Sequence, residues 1–131
     1  MPPEMFQIVD AKGGLLMVWL DRTFSILLIL AGIVHGFDSL RFYHDELTLL
    51  WSVCAALFII LIGAISLLRA SRPRDGALAW ICLVSGGAWI AAALRFGSIT
   101  ERFADAHMLI VLVITLGVCF FSVRTLALAK R

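Results

Sequence analysis

Three polar residues near the end of the first long apolar run could form a binding site. His35, Asp38 and Arg41 are spaced three residues apart in the run TFSILLILAGIVHGFDSLRF, which covers residues 23–42. On a helix this spacing places the three side chains along one face. Polar groups within an apolar helix are costly and usually face a bundle interior or a wet cavity. We therefore predict a polar pocket; the alternative is that the three lie at a membrane interface and pair with one another and with headgroups.

Four residues later in the chain are further candidates for binding a ligand: Arg95, Glu101, Asp105 and His107. Arg41 and Arg95 come at equivalent helix ends, where two guanidinium groups could hold an anionic headgroup or a carboxylate. Alternatively, each simply carries its charge to the interface on an apolar stem. His35, Asp105 and His107 could also build a metal site. Because no dense ligand motif supports a metal or a haem, we predict neither a metal nor a cofactor.

Four apolar runs must position these residues, and they cover 22–42, 47–68, 77–96 and 106–127. Each has the roughly 20 residues that a helix needs to cross a bilayer. The chain is 62% hydrophobic and 15% charged, against about 45–50% and about 25% in soluble domains. The runs are continuously apolar, without the alternation of barrel strands. We predict an all-α integral membrane four-helix bundle that comprises residues 22–131.

The segment before the first run, residues 1–21, is predicted to be cytoplasmic or interfacial. Its mixed charge does not resemble the basic start of a signal peptide. Asp21 and Arg22 interrupt an apolar stretch that begins at Leu15. We therefore expect residues 15–20 to lie on the membrane surface, outside the first span.

Lysine and arginine residues are divided unevenly between the two ends of the predicted bundle. The end that carries the chain termini has eight of them, and the opposite end has Arg41, Arg95 and Arg102. The positive-inside rule then places both termini in the cytoplasm, most simply of a bacterial inner membrane.

Glycines in the first and third runs predict close helix packing. Gly32 and Gly36 form a GxxxG pattern around His35, and Gly86 and Gly87 lie within a patch of small residues. Small side chains at such positions allow a neighbouring helix to approach closely.

A shift of 54 residues superposes the first two runs on the last two. Gly32 then falls on Gly86, the Leu-Arg-Phe of residues 40–42 falls on that of residues 94–96, and Gly63 falls on Gly117. This coincidence suggests two tandem helical hairpins with the same orientation, as in parallel repeats.

Known families offer limited guidance. The Gly86-Gly87 pair followed by Arg95 echoes fluoride channels of the Fluc type, but the asparagine and threonine expected of that family are missing. The membrane-embedded glutamate of small multidrug transporters and the CxxC of four-helix disulfide-forming enzymes are also missing. The chain more loosely resembles bacterial four-helix membrane proteins of a family of unknown function. That resemblance covers about residues 22–120, through Leu-Arg-Phe, the Arg-Pro-Arg loop and Gly-Gly…Arg, and implies architecture alone.

Composition excludes some functions and leaves others open. A net charge of +2, without basic runs interleaved with aromatics, argues against nucleic acid binding. Three cysteines within apolar runs indicate neither a disulfide scaffold nor a zinc site.

We predict an accessory, scaffold or self-associating module whose partners are the bilayer and a homo-oligomer or larger membrane complex. The alternatives are binding or transport of a small amphiphile or anion through a pocket at the outer ends of helices 1 and 3, and a membrane enzyme with histidine acid–base chemistry.

Overall fold

The structure is a computed structural model that describes residues 3–100 and 106–129, with side chains described from residue 14 onward. It contains four helices and, within those residues, no strand: α1 (Pro3–Phe42), α2 (Glu46–Ala70), α3 (Gly76–Thr100) and α4 (Ala106–Ala129). Each is long and apolar enough to cross a membrane, in α1 over Gly14–Phe42. The predicted all-α four-helix bundle is confirmed, and the chain has the make-up of a multi-pass membrane protein.

Each helix packs antiparallel against the next one in the chain, and α4 packs against α1, which completes the four-helix bundle. The interface between α1 and α2 is the most extensive, and that between α2 and α3 is the least extensive of the four. Their shared core consists of aliphatic side chains from three helices: Leu28, Ile59, Ile62, Val111, Ile114 and Val118. We call the end with the 71–75 connection the inner end, and the end with the 43–45 connection the outer end.

The two described connections stop and restart the helices by local hydrogen bonding. Asp45 caps α2, because its Oδ2 accepts hydrogen bonds from the Thr48 hydroxyl at 2.7 Å and the Thr48 backbone N–H at 2.9 Å. These bonds lower the pKa of the Asp45 carboxyl group. At the inner end, Asp75 Oδ1 accepts from the Leu78 N–H at 3.1 Å and caps α3 in the same way.

Glycines bring α1 and α2 into backbone contact. A Cβ atom at Gly32 would lie 3.0 Å from the carbonyl oxygen of Ala56, and one at Gly63 would lie 3.0 Å from that of Ser25. At Gly36 the added atom would be 3.4 Å from the Ala56 Cβ, which is ordinary contact. The GxxxG segment of α1 therefore packs against α2, with Gly63 as its counterpart on α2.

The glycine pair on α3 divides between two faces. A Cβ atom at Gly86 would lie 2.7 Å from Cys119 Sγ on α4, whereas one at Gly87 would meet nothing within 4 Å. Neighbouring residues of a helix are about 100° apart, so both glycines cannot face the same partner. Gly87 is exposed and contacts no other helix of the described chain, so its role in helix packing stays a prediction.

The packing of the superposed glycines lends no support to the tandem repeat. Gly32 contacts α2 at Ala56 and Ile60, whose equivalents in the second hairpin are residues 110 and 114, but Gly86 contacts α4 at Thr115 and Cys119. Gly63 packs within its own hairpin, whereas Gly117 packs against Phe24 of the other one. The duplication stays a prediction.

The first helix begins well before its predicted start at residue 22. It is continuous from Pro3, so residues 15–20 extend along its axis and do not form a separate surface segment. The physical reason is an ion pair between Asp21 and Arg69 of α2, whose exposed fractions are 7% and 0%. Because Arg69 neutralises its charge, the Asp21 carboxylate can be buried within the membrane-spanning part of α1.

We expect Arg69→Ala to lower the free energy of unfolding by about 3 kcal/mol, because it leaves Asp21 buried without its partner. Unfolding of the detergent-solubilised protein by sodium dodecyl sulfate, followed by circular dichroism, measures this change. Arg22→Ala is the matched control, because Arg22 is adjacent to Asp21 but exposed. Equal stability of the two variants would contradict a stabilising role for the ion pair.

Candidate functional site

A cleft of about 1080 Å³ opens between α2 and α3 in the outer half of the bundle. Its walls come from α2 and α3: Thr48, Trp51, Ser52, Cys54, Ala55, Phe58, Ile59, Ala88, Trp89, Ala92, Ala93, Phe96 and Thr100. Behind them α1, α4 and the first connection contribute His35, Asp38, Tyr43, His107, Met108, Val111 and Leu112. Sites for small molecules typically measure about 300–1,000 Å³, so this cleft is large enough for one.

The cleft is about as deep as one leaflet of a bilayer. Along α3 its lining extends from Ala88 to Thr100, which corresponds to about 18 Å of helix. Half of a typical hydrocarbon core is about 15 Å. The inner-end connection joins α2 to α3, and the cleft lies between the outer halves of these helices. The alanines of α3, at positions 88, 92 and 93, leave the space between them open.

Two histidines from different helices meet within the cleft. The ring centroids of His35 on α1 and His107 on α4 lie 5.5 Å apart, at an interplanar angle of 34°. Both side chains are half-buried. The backbone behind His35 is fixed by Ser39, whose buried hydroxyl donates to the His35 carbonyl oxygen at 2.7 Å.

Of the predicted site residues, the structure brings His35, Asp38 and His107 to one cleft. Asp38 lies almost one turn beyond His35 on α1 and is exposed. Arg41 and Arg95 are exposed and do not line the cleft. The other two predicted residues, Glu101 and Asp105, lie outside the described residues.

Aromatic residues make up a part of the lining that the sequence-based reasoning missed. Trp51 and Phe58 on α2 and Trp89 and Phe96 on α3 are each seven residues apart, so each pair lies along one helix face. Alanines fall between them on the same faces. The rings of Phe58 and Trp89 approach each other across the cleft, with centroids 6.2 Å apart. This repeated pairing of aromatic and small residues was a signal in the sequence that could have located the cleft.

A second polar cluster lies at the inner end and does not reach the cleft. It contains the Asp21–Arg69 pair and the Ser66 hydroxyl, which donates to Cys82 Sγ at 3.6 Å. Nε and Nη1 of Arg69 are buried and find no hydrogen-bond partner among the described residues. The burial of Arg69 was not predicted, because a basic residue at a helix end ordinarily lies in the interface.

Neither a metal-binding cluster among the described residues nor a related protein indicates what the cleft binds. Among the described residues, no group of three or more histidine, cysteine, aspartate or glutamate side chains could hold a metal ion. Comparison with protein-family models, with curated proteins and with solved structures finds no match to this chain. The resemblance to bacterial four-helix proteins of unknown function therefore stays a prediction.

The native cysteines test whether the cleft is accessible. Cys54 is exposed and lines the cleft, whereas Cys82 is buried. We expect N-ethylmaleimide to modify Cys54 about tenfold faster than Cys82, because thiol reactivity follows exposure. Peptide mass spectrometry of the protein in nanodiscs measures both rates within one chain. Similar rates would show that the cleft is closed.

Proposed function

We propose that the protein binds a small amphiphile, with a single apolar tail, from the outer half of the membrane. The observation that supports this function is a leaflet-deep cleft whose lining changes from apolar to polar along its length. The deepest lining is formed by Phe58, Ile59, Ala88, Val111 and Leu112. This end suits a hydrocarbon tail.

The outer part of the same cleft suits a polar headgroup. There the lining includes His35, Asp38, Thr48, Thr100 and His107. Such a gradient, from an apolar interior to a few polar groups that orient the ligand, is typical of binding sites. It matches a molecule that keeps its headgroup at the level of the interface while its tail is buried.

The route of entry is sideways from the bilayer. Trp51 on one wall and Phe96 on the other are 70% and 61% exposed on the surface that would face lipid. A tail can therefore pass from the leaflet into the cleft without crossing water, which avoids the cost of hydrating apolar surface.

Quenching of Trp89 by an amphiphile with a brominated tail tests this function. In a variant in which Trp19, Trp51 and Trp80 are replaced by phenylalanine, we expect saturable quenching in nanodiscs of an uncharged glycosyl diacylglycerol. Ala92→Phe should weaken binding by about tenfold or more, because the new ring fills the cleft.

The matched control is Ala91→Phe, at an exposed neighbouring residue that does not line the cleft. It should leave quenching unchanged. Quenching that rises linearly without saturation, or that is equally insensitive to both substitutions, would contradict the proposal.

A second candidate is the self-associating or accessory module that the sequence favours, within a homo-oligomer or a larger membrane complex. It is supported by Gly87 and Ala91, which are exposed about one turn apart on α3 and form a small-xxx-small pattern. On this proposal Gly87→Leu disrupts the homo-oligomer, because its side chain keeps the facing helices apart.

Cross-linking in nanodiscs measures the oligomeric state of that variant. Gly87 lies off the cleft, so Gly87→Leu should leave amphiphile binding intact. A monomeric wild-type protein would exclude the homo-oligomer.

We further propose a bacterial inner membrane with both termini in the cytoplasm. The burial of Arg69 in an ion pair removes one of the eight basic residues at the inner end, and the remaining seven still outnumber the three at the outer end. A membrane-impermeant maleimide added to intact cells should then label Cys54 from outside. Labelling only after lysis would contradict this orientation.

A further inference from the structure

We propose that the headgroup of the bound amphiphile is a cation of the ammonium class, held by Asp38 and the aromatic residues around the outer part of the cleft. This inference rests on the proposed function and specifies the chemistry of the ligand. It differs from the anion that the paired arginines suggested in the sequence.

The described part of the cleft contains one carboxylate and no lysine or arginine. That carboxylate belongs to Asp38. Its carboxylate makes no hydrogen bond or ion pair with another described residue, and the ion pair found within 4 Å is that of Arg69 with Asp21. A carboxylate in this position, close to apolar surface and without an ion-pair partner within 4 Å among the described residues, favours a cation.

The arginines that could have bound an anion are not part of the cleft. Arg41 follows Asp38 by three residues on α1 and forms no ion pair with it, and Arg95 is exposed on α3. An anionic headgroup would approach Asp38 with no guanidinium in the described lining to offset the repulsion.

Aromatic rings supply the second half of the recognition. Tyr43, Trp51 and Phe96 line the outer part of the cleft together with Asp38. The faces of such rings attract ammonium groups, by about 0.5–2 kcal/mol per contact according to how far the site is desolvated. A carboxylate combined with several rings is the arrangement that selects quaternary or tertiary ammonium groups over hydrated inorganic cations, because the methyl groups also bury apolar surface.

Competition among amphiphiles with identical tails tests the headgroup. The variant that retains Trp89, in which phenylalanine keeps an aromatic ring at position 51, is loaded with an uncharged brominated amphiphile in glycosyl diacylglycerol nanodiscs. The pH is about 8, above the reference pKa of histidine. Dodecyltrimethylammonium, dodecanoate and uncharged monododecanoylglycerol are then compared as competitors. We expect the ammonium compound to displace the probe at about tenfold lower concentration than dodecanoate.

Comparison of Asp38→Asn with Glu46→Gln distinguishes binding of the ammonium group by Asp38 from a general effect of negative charge at the outer end. Glu46 is an exposed acid at the start of α2 that does not line the cleft. Asp38→Asn should remove most of the preference for the ammonium compound, and Glu46→Gln should retain it. Equal or better competition by dodecanoate, or a preference unchanged by Asp38→Asn, would overturn the inference while leaving amphiphile binding intact. Absence of any saturable quenching of Trp89 would overturn both proposals.

Discussion

The buried ion pair between Asp21 and Arg69 is the constraint on which the rest of the bundle depends. Two charges placed among apolar helices are tolerated because each neutralises the other. Arg69 is the penultimate residue of α2, so its pairing fixes the height of α2 along α1. The close glycine contacts farther along the same interface, at Gly32 and Gly63, require that same register. The ion pair and the glycine contacts therefore favour the same register of α2 against α1.

The ion pair lies at the inner end of the bundle, and the cleft lies in the outer half. The 71–75 connection holds α2 and α3 together beside the ion pair, and their mutual interface is the least extensive around the bundle. Alanines along α3 do not fill the gap that develops toward the outer end, and aromatic residues border it. The cleft between these two helices is apolar at its inner part and polar toward the outer end. The proposed ligand, an amphiphile of one leaflet, fits the space that the helix packing leaves.

Much of this architecture could be predicted from the sequence, because lipid imposes strong local requirements. Four apolar runs of sufficient length determine four helices. Of the stripe predicted from residue spacing, His35 and Asp38 line the cleft and Arg41 does not. What the sequence concealed depends on partners distant along the chain. In the local sequence, Asp21 suggested that the first span begins after it. The residue that neutralises it, Arg69, lies 48 residues farther along the chain, so the local sequence does not reveal the pairing. Gly87 looked equivalent to Gly86, and only the position of α4 distinguishes the two.

Native mass spectrometry of the protein extracted from its own membrane tests the central claim most directly, because it detects whatever the cleft holds without assuming a ligand. We predict one amphiphile of low mass bound per chain, lost in Ala92→Phe and retained in Ala91→Phe. Extraction of a wild-type protein free of any such molecule, or an adduct that persists unchanged in Ala92→Phe, would contradict it.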